Sequence, residues 1–311
     1  MNRFLEHTGA KYPIVQAPMG WIARSQLASA VCNAGGLGII ETSSGETENC
    51  MAEIEKMKDL TDAPFGVNLP IMFLKDPAIL DHICGSGVKF VTTSAGSPAK
   101  FIGPLKEAGI TVYHAVPTVD AAMKCVEAGI DGLVVEGAEG GGFKNPEEVS
   151  TLVLLQGIRR QTNIPMVAAG GIADGKGMAA AFALGAEAIQ MGTRFVSSAE
   201  SPVHHNYKQA ILDAKETGTY ILNKKASPCI RALKTERTAK IHEDGVMPPD
   251  TFKSILDVYF GGDMEASVGL AGQSSGLIDE VKTAKQIIDE TVAEFFEITA
   301  RLGALSAAKS F

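Results

Sequence analysis

The chain is poor in several things, and each shortage removes a class of function. Basic residues are outnumbered by acidic ones, 28 against 36, which leaves a formal charge of −8. There is no basic stripe, so neither nucleic acid nor an anionic membrane surface is an expected partner. No apolar run reaches the ~20 residues needed to cross a bilayer. The opening MNRFLEHTGAKYPIVQ lacks the apolar segment of a secretory leader, and a cytoplasmic location is expected. Cysteine is sparse and odd in number: Cys32, Cys50, Cys84, Cys125 and Cys229, with no CxxC pair. That pattern suits reduced thiols in a cytoplasm and not a disulfide frame. No His/Cys/Asp group has zinc-ligand spacing. The neighbours His204 and His205 cannot face one ion from a single strand or helix, so no metal is expected. No Ser-His-Asp arrangement can be picked out. The GxGxxG of an open dinucleotide-binding sheet is also missing, since the turn after the first apolar run reads APMGW.

What the chain does have is glycine, 33 residues of it, and a regular alternation of short aliphatic runs with helical stretches. The runs Ile14–Met19, Leu37–Glu41, Phe65–Pro70, Phe90–Ser94, Thr111–Pro117, Gly132–Gly137, Pro165–Ala169 and Ala188–Met191 read as strands. Helices of ordinary length fit between them. Glu-Ala-Gly-Ile at Glu107–Ile110 recurs at Glu127–Ile130, each time as a helix end, a glycine stop and a strand start. Strand and helix in alternation mean parallel βαβ units, and eight of them mean an α/β chain of the (β/α)8 TIM-barrel type. The stretch after the eighth strand is richer in charge. It is predicted to be a small helical lid over residues 198–263, inserted into a barrel made of 1–197 and 264–311. A Gly/Ser-rich link, Gly269–Gly276, leads to a long returning helix over Ile278–Leu302. The oligomeric state is left open, with a homodimer among the options.

The densest chemical signal lies between Pro165 and Phe195, which reads PMVAAGGIADGKGMAAAFALGAEAIQMGTRF. Glycines let backbone N–H groups close on an anion. A helix start adds unpaired donors and partial positive charge. Two such turns at neighbouring strand ends make a phosphate cup, the usual place for one in a barrel being after strands seven and eight. Taken alone, the same glycines read equally well as ordinary turn residues.

A barrel works at the C-terminal ends of its strands. Those positions hold Ala17-Pro18-Met19, Glu41, Asn68, Thr92–Ser94, His114, Glu136, Gly140–Phe143, Gly170-Gly171 and Gly192-Thr193. Acids and bases are few. A mouth made of backbone, amide and small residues beside a phosphate cup suits a cofactor that does the hard chemistry itself. Flavin mononucleotide, with one phosphate and one planar ring, meets that description, with a small molecule as substrate. His114 has two readings, a catalytic acid/base or a hydrogen-bonded packing residue.

Six stretches carry a resemblance. They are Gln16-Ala-Pro-Met19, Asn33-Ala-Gly-Gly-Leu-Gly38, Phe65-Gly-Val-Asn68, Glu136-Gly137, Ala169-Gly-Gly-Ile-Ala-Asp-Gly175 and Met191-Gly-Thr-Arg-Phe195. In these the chain resembles the nitronate monooxygenase (2-nitropropane dioxygenase) family, which includes the flavin-type enoyl-ACP reductases. The resemblance implies an FMN-containing barrel. By matching position the cofactor is held by Ala17, Pro18, Met19, Asn68, Glu136, Gly141, Gly142, Ala169, Gly170, Gly171, Gln190, Met191, Gly192 and Thr193. Asn68 would touch the ring edge, and Gly171, Gly192 and Thr193 the phosphate.

One departure matters. The motif EGAEGGGF places Phe143 where the family usually carries a histidine, and a phenyl ring cannot move a proton. The lysine common at the end of strand five is also absent, as Ala115 follows His114. Pro117 and the run Thr193–Tyr220 look more like the enoyl reductases. A nitronate is already an anion and needs no base, whereas reduction of an enoyl thioester needs a proton source. The expected function is therefore FMN-dependent oxidation of alkyl nitronates with O2. The alternatives are an enoyl-ACP, enoyl-CoA or quinone reductase drawing on NADH or NADPH, and a flavin-binding protein without turnover.

Overall fold

The structure is a computed structural model that describes residues 2–74 and 76–308. Its strands, in chain order, are β1 (Ile14–Gln16), β2 (Ile39–Ile40), β3 (Gly66–Pro70), β4 (Phe90–Ser94), β5 (Thr111–Val116) and β6 (Gly132–Glu136), then β7 (Gly142–Phe143), β8 (Met166–Ala169), β9 (Ala188–Met191), β10 (Thr219–Leu222) and β11 (Ile230–Leu233). Eight of them form one sheet in the order β1-β9-β8-β6-β5-β4-β3-β2, and every pairing in it is parallel. A parallel bridge from Val15 to Leu37 joins the two ends of that order, so the sheet curls into a barrel. Helices lie between the strands, as the alternation predicts. Several start on a side-chain cap: Thr118 accepts from Ala121 N, Ser150 from Val153 N and Asp174 from Gly177 N.

Side chains of a strand alternate between faces, and here the two faces feed two separate cores. Val15, Leu37, Ile39, Phe90, Tyr113, Val134, Val167, Ala169 and Ala188 meet inside the barrel. Their neighbours, including Ile14, Ile40, Val67, Val91, Val112, Leu133, Val135, Ala168, Ile189 and Met191, face the helix layer. The N-terminal end of the lumen is plugged by a short helix, Arg3–Thr8, whose Phe4 is fully buried against Phe90 and Tyr113 at ring distances of 6.0 and 6.2 Å. Gly132 makes room for this layer. A Cβ there would fall 2.2 Å from Cζ of Tyr113. The plug closes the end away from the catalytic mouth, so it contributes to stability and leaves the other end open for chemistry.

The segment 198–263, expected to be a small helical lid, is mixed in structure. It does hold helices, His205–Leu212, Glu236–Asp244 and Ile255–Tyr259, but between the first two runs the antiparallel hairpin β10/β11. The hairpin buries Leu222, Ile230 and Ala232 in a small core of its own with Ile241 and Val268. It also recruits β7 from the barrel: Ile230 pairs with Phe143 and Arg231 with Gly142. A partner strand nearly ninety residues upstream is what makes this stretch a sheet, and local composition cannot report it.

The supposed link Gly269–Gly276 is packed, not slack. Gly272 N donates to Thr193 Oγ1 at 2.9 Å, and Gln273 N to the Glu139 carbonyl at 2.8 Å. The returning helix runs over Ala284–Ala308, later than expected, and lies along the helix Gly175–Ala183. Among the described residues no helix is long and apolar enough to cross a membrane.

Candidate active site

The interior face at the C-terminal end of the barrel is set by counting from the buried layer. From Phe90, Val134, Ala169 and Ala188 inside the barrel, two-residue steps reach Thr92 and Ser94, Glu136, the Gly171 turn and Gln190. The registers then bring these strand ends together: Asn68 lies beside Thr92, Glu136 beside Ala169, and Ala169 beside Gln190. Asn68 is buried, and its Nδ2 donates to Thr92 Oγ1 at 3.0 Å and the Thr92 carbonyl at 3.2 Å. That leaves its amide oriented across the lumen side of β3 and β4.

Ala17 and Met19 close the other side. Ala17 N donates to the Met191 carbonyl at 3.0 Å, which carries the first strand's line past the end of β9. A Cβ built on Gly192 would lie 3.6 Å from Ala17 Cβ and 3.9 Å from Met19 Sδ, so these three residues share one wall. Gly171 has φ +74°, where a side chain is strained. A Cβ on it would also crowd Glu139 Cβ at 3.3 Å. Thr193 is buried, with its hydroxyl taken by Gly272 N.

Other residues of the expected set are placed differently. His114 sits on the outward face of β5 with Val112 and Val116, away from the lumen. Its Nδ1 is 2.7 Å from Thr93 Oγ1, and burial pushes its pKa down to about 4. Buried, hydrogen-bonded and turned by strand parity toward the helix layer, His114 is placed as the packing reading expects, not the acid/base one. Met191 likewise points outward, and it offers the mouth only backbone. Gly141 is explained by the chain packed on it, since a Cβ would lie 2.6 Å from the Ala271 carbonyl carbon. Glu139 accepts from Thr151 N at 3.0 Å and Thr151 Oγ1 at 3.0 Å, and so caps the helix Thr151–Arg159. Phe143 is 44% exposed and stands between Phe73 and Phe252, at centroid distances of 5.1 and 6.1 Å.

One residue near the site escapes the motif reading. Lys144, directly after Phe143, has an almost wholly buried side chain that is ion-paired to Glu136. Adjacency was the available signal: consecutive residues of extended chain point opposite ways, so if Phe143 faces out, its neighbour faces in.

This arrangement fits a flavin on two observations of the structure. Gln190 Oε1 is buried at the end of β9 with no partner among the protein groups, an acceptor of the kind that a ring N–H or a hydroxyl satisfies. Beside it Gly192 carries no side chain against Ala17 and Met19, which leaves that wall flat for a planar group. Among the described residues no cluster of three His, Cys, Asp or Glu is arranged to hold a metal ion.

Known proteins share both fold and sequence with this chain. The family model described as nitronate monooxygenase matches residues 2–83 and 75–294. FabK from Thermotoga maritima superposes with a TM-score of 0.93 at 39% identity, covering 98% of this chain and 99% of that one. The nitroalkane oxidase of Streptomyces ansochromogenes superposes at 0.84 with 27% identity, covering 96% and 99%. A Rhodococcus jostii (3aS,4S,5R,7aS)-5-hydroxy-7a-methyl-1-oxo-octahydro-1H-indene-4-carboxyl-CoA dehydrogenase is 31% identical over 97% of this chain and 98% of its own length. The chain is a flavin-dependent oxidoreductase, and it belongs to the nitronate monooxygenase family.

Proposed function

We propose that the enzyme uses FMN to oxidise alkyl nitronates with O2. The observation that carries this reading is Phe143. Where the family usually holds a histidine, this site holds an exposed phenyl ring in an aromatic group with Phe73 and Phe252. His114 does not stand in for it, because it faces outward. A reactant that is already deprotonated suits a mouth without a free base. When bound, FMN would supply the redox chemistry that links electron loss by the nitronate to reduction of O2.

The protein's part is binding and exclusion. The Gly171 and Gly192 turns would hold the phosphate with backbone N–H groups. Gln190 Oε1 and the Asn68 amide would fix the ring and ribityl edge with directed hydrogen bonds. Phe73, Phe143 and Phe252 would shield the reacting face from water and contact an alkyl chain. The FabK and CoA-dehydrogenase relatives favour a second reading, an NADH- or NADPH-dependent reductase of enoyl-ACP or enoyl-CoA thioesters.

Anaerobic stopped-flow absorbance separates the two. Mixing the yellow holoenzyme with propyl nitronate should bleach the flavin, and oxygen should restore it. Bleaching by NADH or NADPH, with none by nitronate, would move the assignment to the reductase.

A further inference from the structure

Phe143, the last residue of β7, and Lys144, the residue after it, turn their side chains in opposite directions. Phe143 pairs with Ile230 and presents its ring to the aromatic lip. Lys144 continues the pairing, its N–H donating to the Cys229 carbonyl at 2.9 Å. Its side chain runs inward and is 3% exposed, against 31% for its ion-pair partner Glu136. A cavity of about 30 Å³, room for roughly one water, lies against the pair, with Pro117, Phe143 and Asn145 among its walls. Gly140 makes the approach possible, since a Cβ there would fall 2.7 Å from Glu136 Oε1 and 3.0 Å from Lys144 Nζ. The backbone on both sides is held: Arg231 Nε donates to the Ala138 carbonyl at 2.7 Å.

The other charged groups around the mouth are committed to structure. Glu41 pairs with Arg24 at 2.8 Å and accepts from Trp21 N at 3.1 Å. Glu139 caps a helix, and Arg194 donates to the Glu280 carbonyl at 3.0 Å. Glu136 is different, because it ends β6 on the lumen side and is partly open. Left alone, its charge would repel an anion and disfavour adding electrons to a ring beside it.

We infer that Lys144 is a positioning residue of this site: through its ion pair it fixes Glu136 in the lumen and cancels its charge, so that an anionic reactant can enter a mouth where Phe143 offers no cation. The inference rests on the lumen being the flavin site. It places a cation, spent on Glu136, one residue beyond the position the family's histidine occupies.

The test uses holoenzyme carrying Lys144→Met, Lys144→Arg, Glu136→Gln and the Lys144→Met/Glu136→Gln pair. Each is read by flavin midpoint potential and by KM and kcat for propyl nitronate. Lys144→Met should lower the potential and raise KM by about tenfold or more, the scale of one uncompensated charge at a contact surface. Lys144→Arg and the double variant should return both values toward wild type. Glu136→Gln should move the potential the opposite way, which keeps the test alive if Lys144→Met does not fold. Shifts of the same sign in Lys144→Met and Glu136→Gln, or a Lys144→Met enzyme with wild-type potential and KM, would overturn the inference. If nitronate does not bleach the wild type yet the two potentials move apart, the pair's role stands and the nitronate reading alone fails.

Discussion

Thr93 and His114 meet through a 2.7 Å hydrogen bond on the outer face of β4 and β5, behind the wall of the lumen. A strand-end histidine in a barrel invites a catalytic role. Here the parity of the strand turns it toward the helices, where burial keeps it neutral.

That burial makes a pH prediction. His114 has a pKa near 4 in the fold, below its ordinary value of 6.5. Between the two, the unfolded chain binds a proton that the folded chain does not. Stability therefore rises with pH across that window and is fully present above it. From roughly pH 7 to pH 4, the wild type should lose on the order of 3 kcal/mol more than His114→Gln. Urea denaturation at both values checks this, and the pH profile of turnover should be alike in the two proteins. Equal losses would mean the buried imidazole is not the group responsible.

The phosphate assignment predicts that Gly171→Asp expels FMN. Two effects add: a side chain at φ +74° is strained and its Cβ would crowd Glu139, and it would bring a second carboxylate to a turn that would hold an anion. The purified variant should be colourless, as read by its flavin absorbance against that of wild type. A fully yellow variant would place the phosphate elsewhere.

Phe143→His restores a proton-bearing group at the mouth. General bases contribute about 10²–10⁴-fold when well placed. Since the aromatic lip was not built to orient an imidazole, a rise on the order of tenfold is expected in the ratio of turnover on neutral nitroalkanes to turnover on nitronates. Steady-state oxygen consumption with each reactant gives that ratio. No change would remove Phe143 from the explanation of substrate choice.

At the far end of the barrel, Phe4→Ala should cost about 3–5 kcal/mol, the range for emptying a fully buried aromatic site. Phe4 contacts Phe90 and Tyr113 and closes the lumen, so thermal unfolding should fall while the flavin spectrum of the folded enzyme stays unchanged. A stability close to wild type would show that the plug helix is dispensable.

Repeated strand, helix and glycine stop were enough to specify the barrel, because each βαβ unit is made from contacts close in the chain. The turns at Gly170-Gly171 and Gly192-Thr193, after the seventh and eighth barrel strands, were legible for the same reason: a tight turn is written in adjacent residues. The hairpin β10/β11 was hidden, since its stability comes from β7 and from a small core shared with distant residues. The composition of the Gly269–Gly276 stretch marks a link but does not report the bond from Gly272 to Thr193 that packs it. Strand parity decided the rest. His114 and Met191 stand at strand ends in the sequence, yet face outward, while Lys144, unremarkable in the chain, is folded inward onto Glu136. The sequence by itself determined which residues lie near the mouth. Only the tertiary structure decided which of them point into it, because a one-residue change of phase reverses every side chain of a strand.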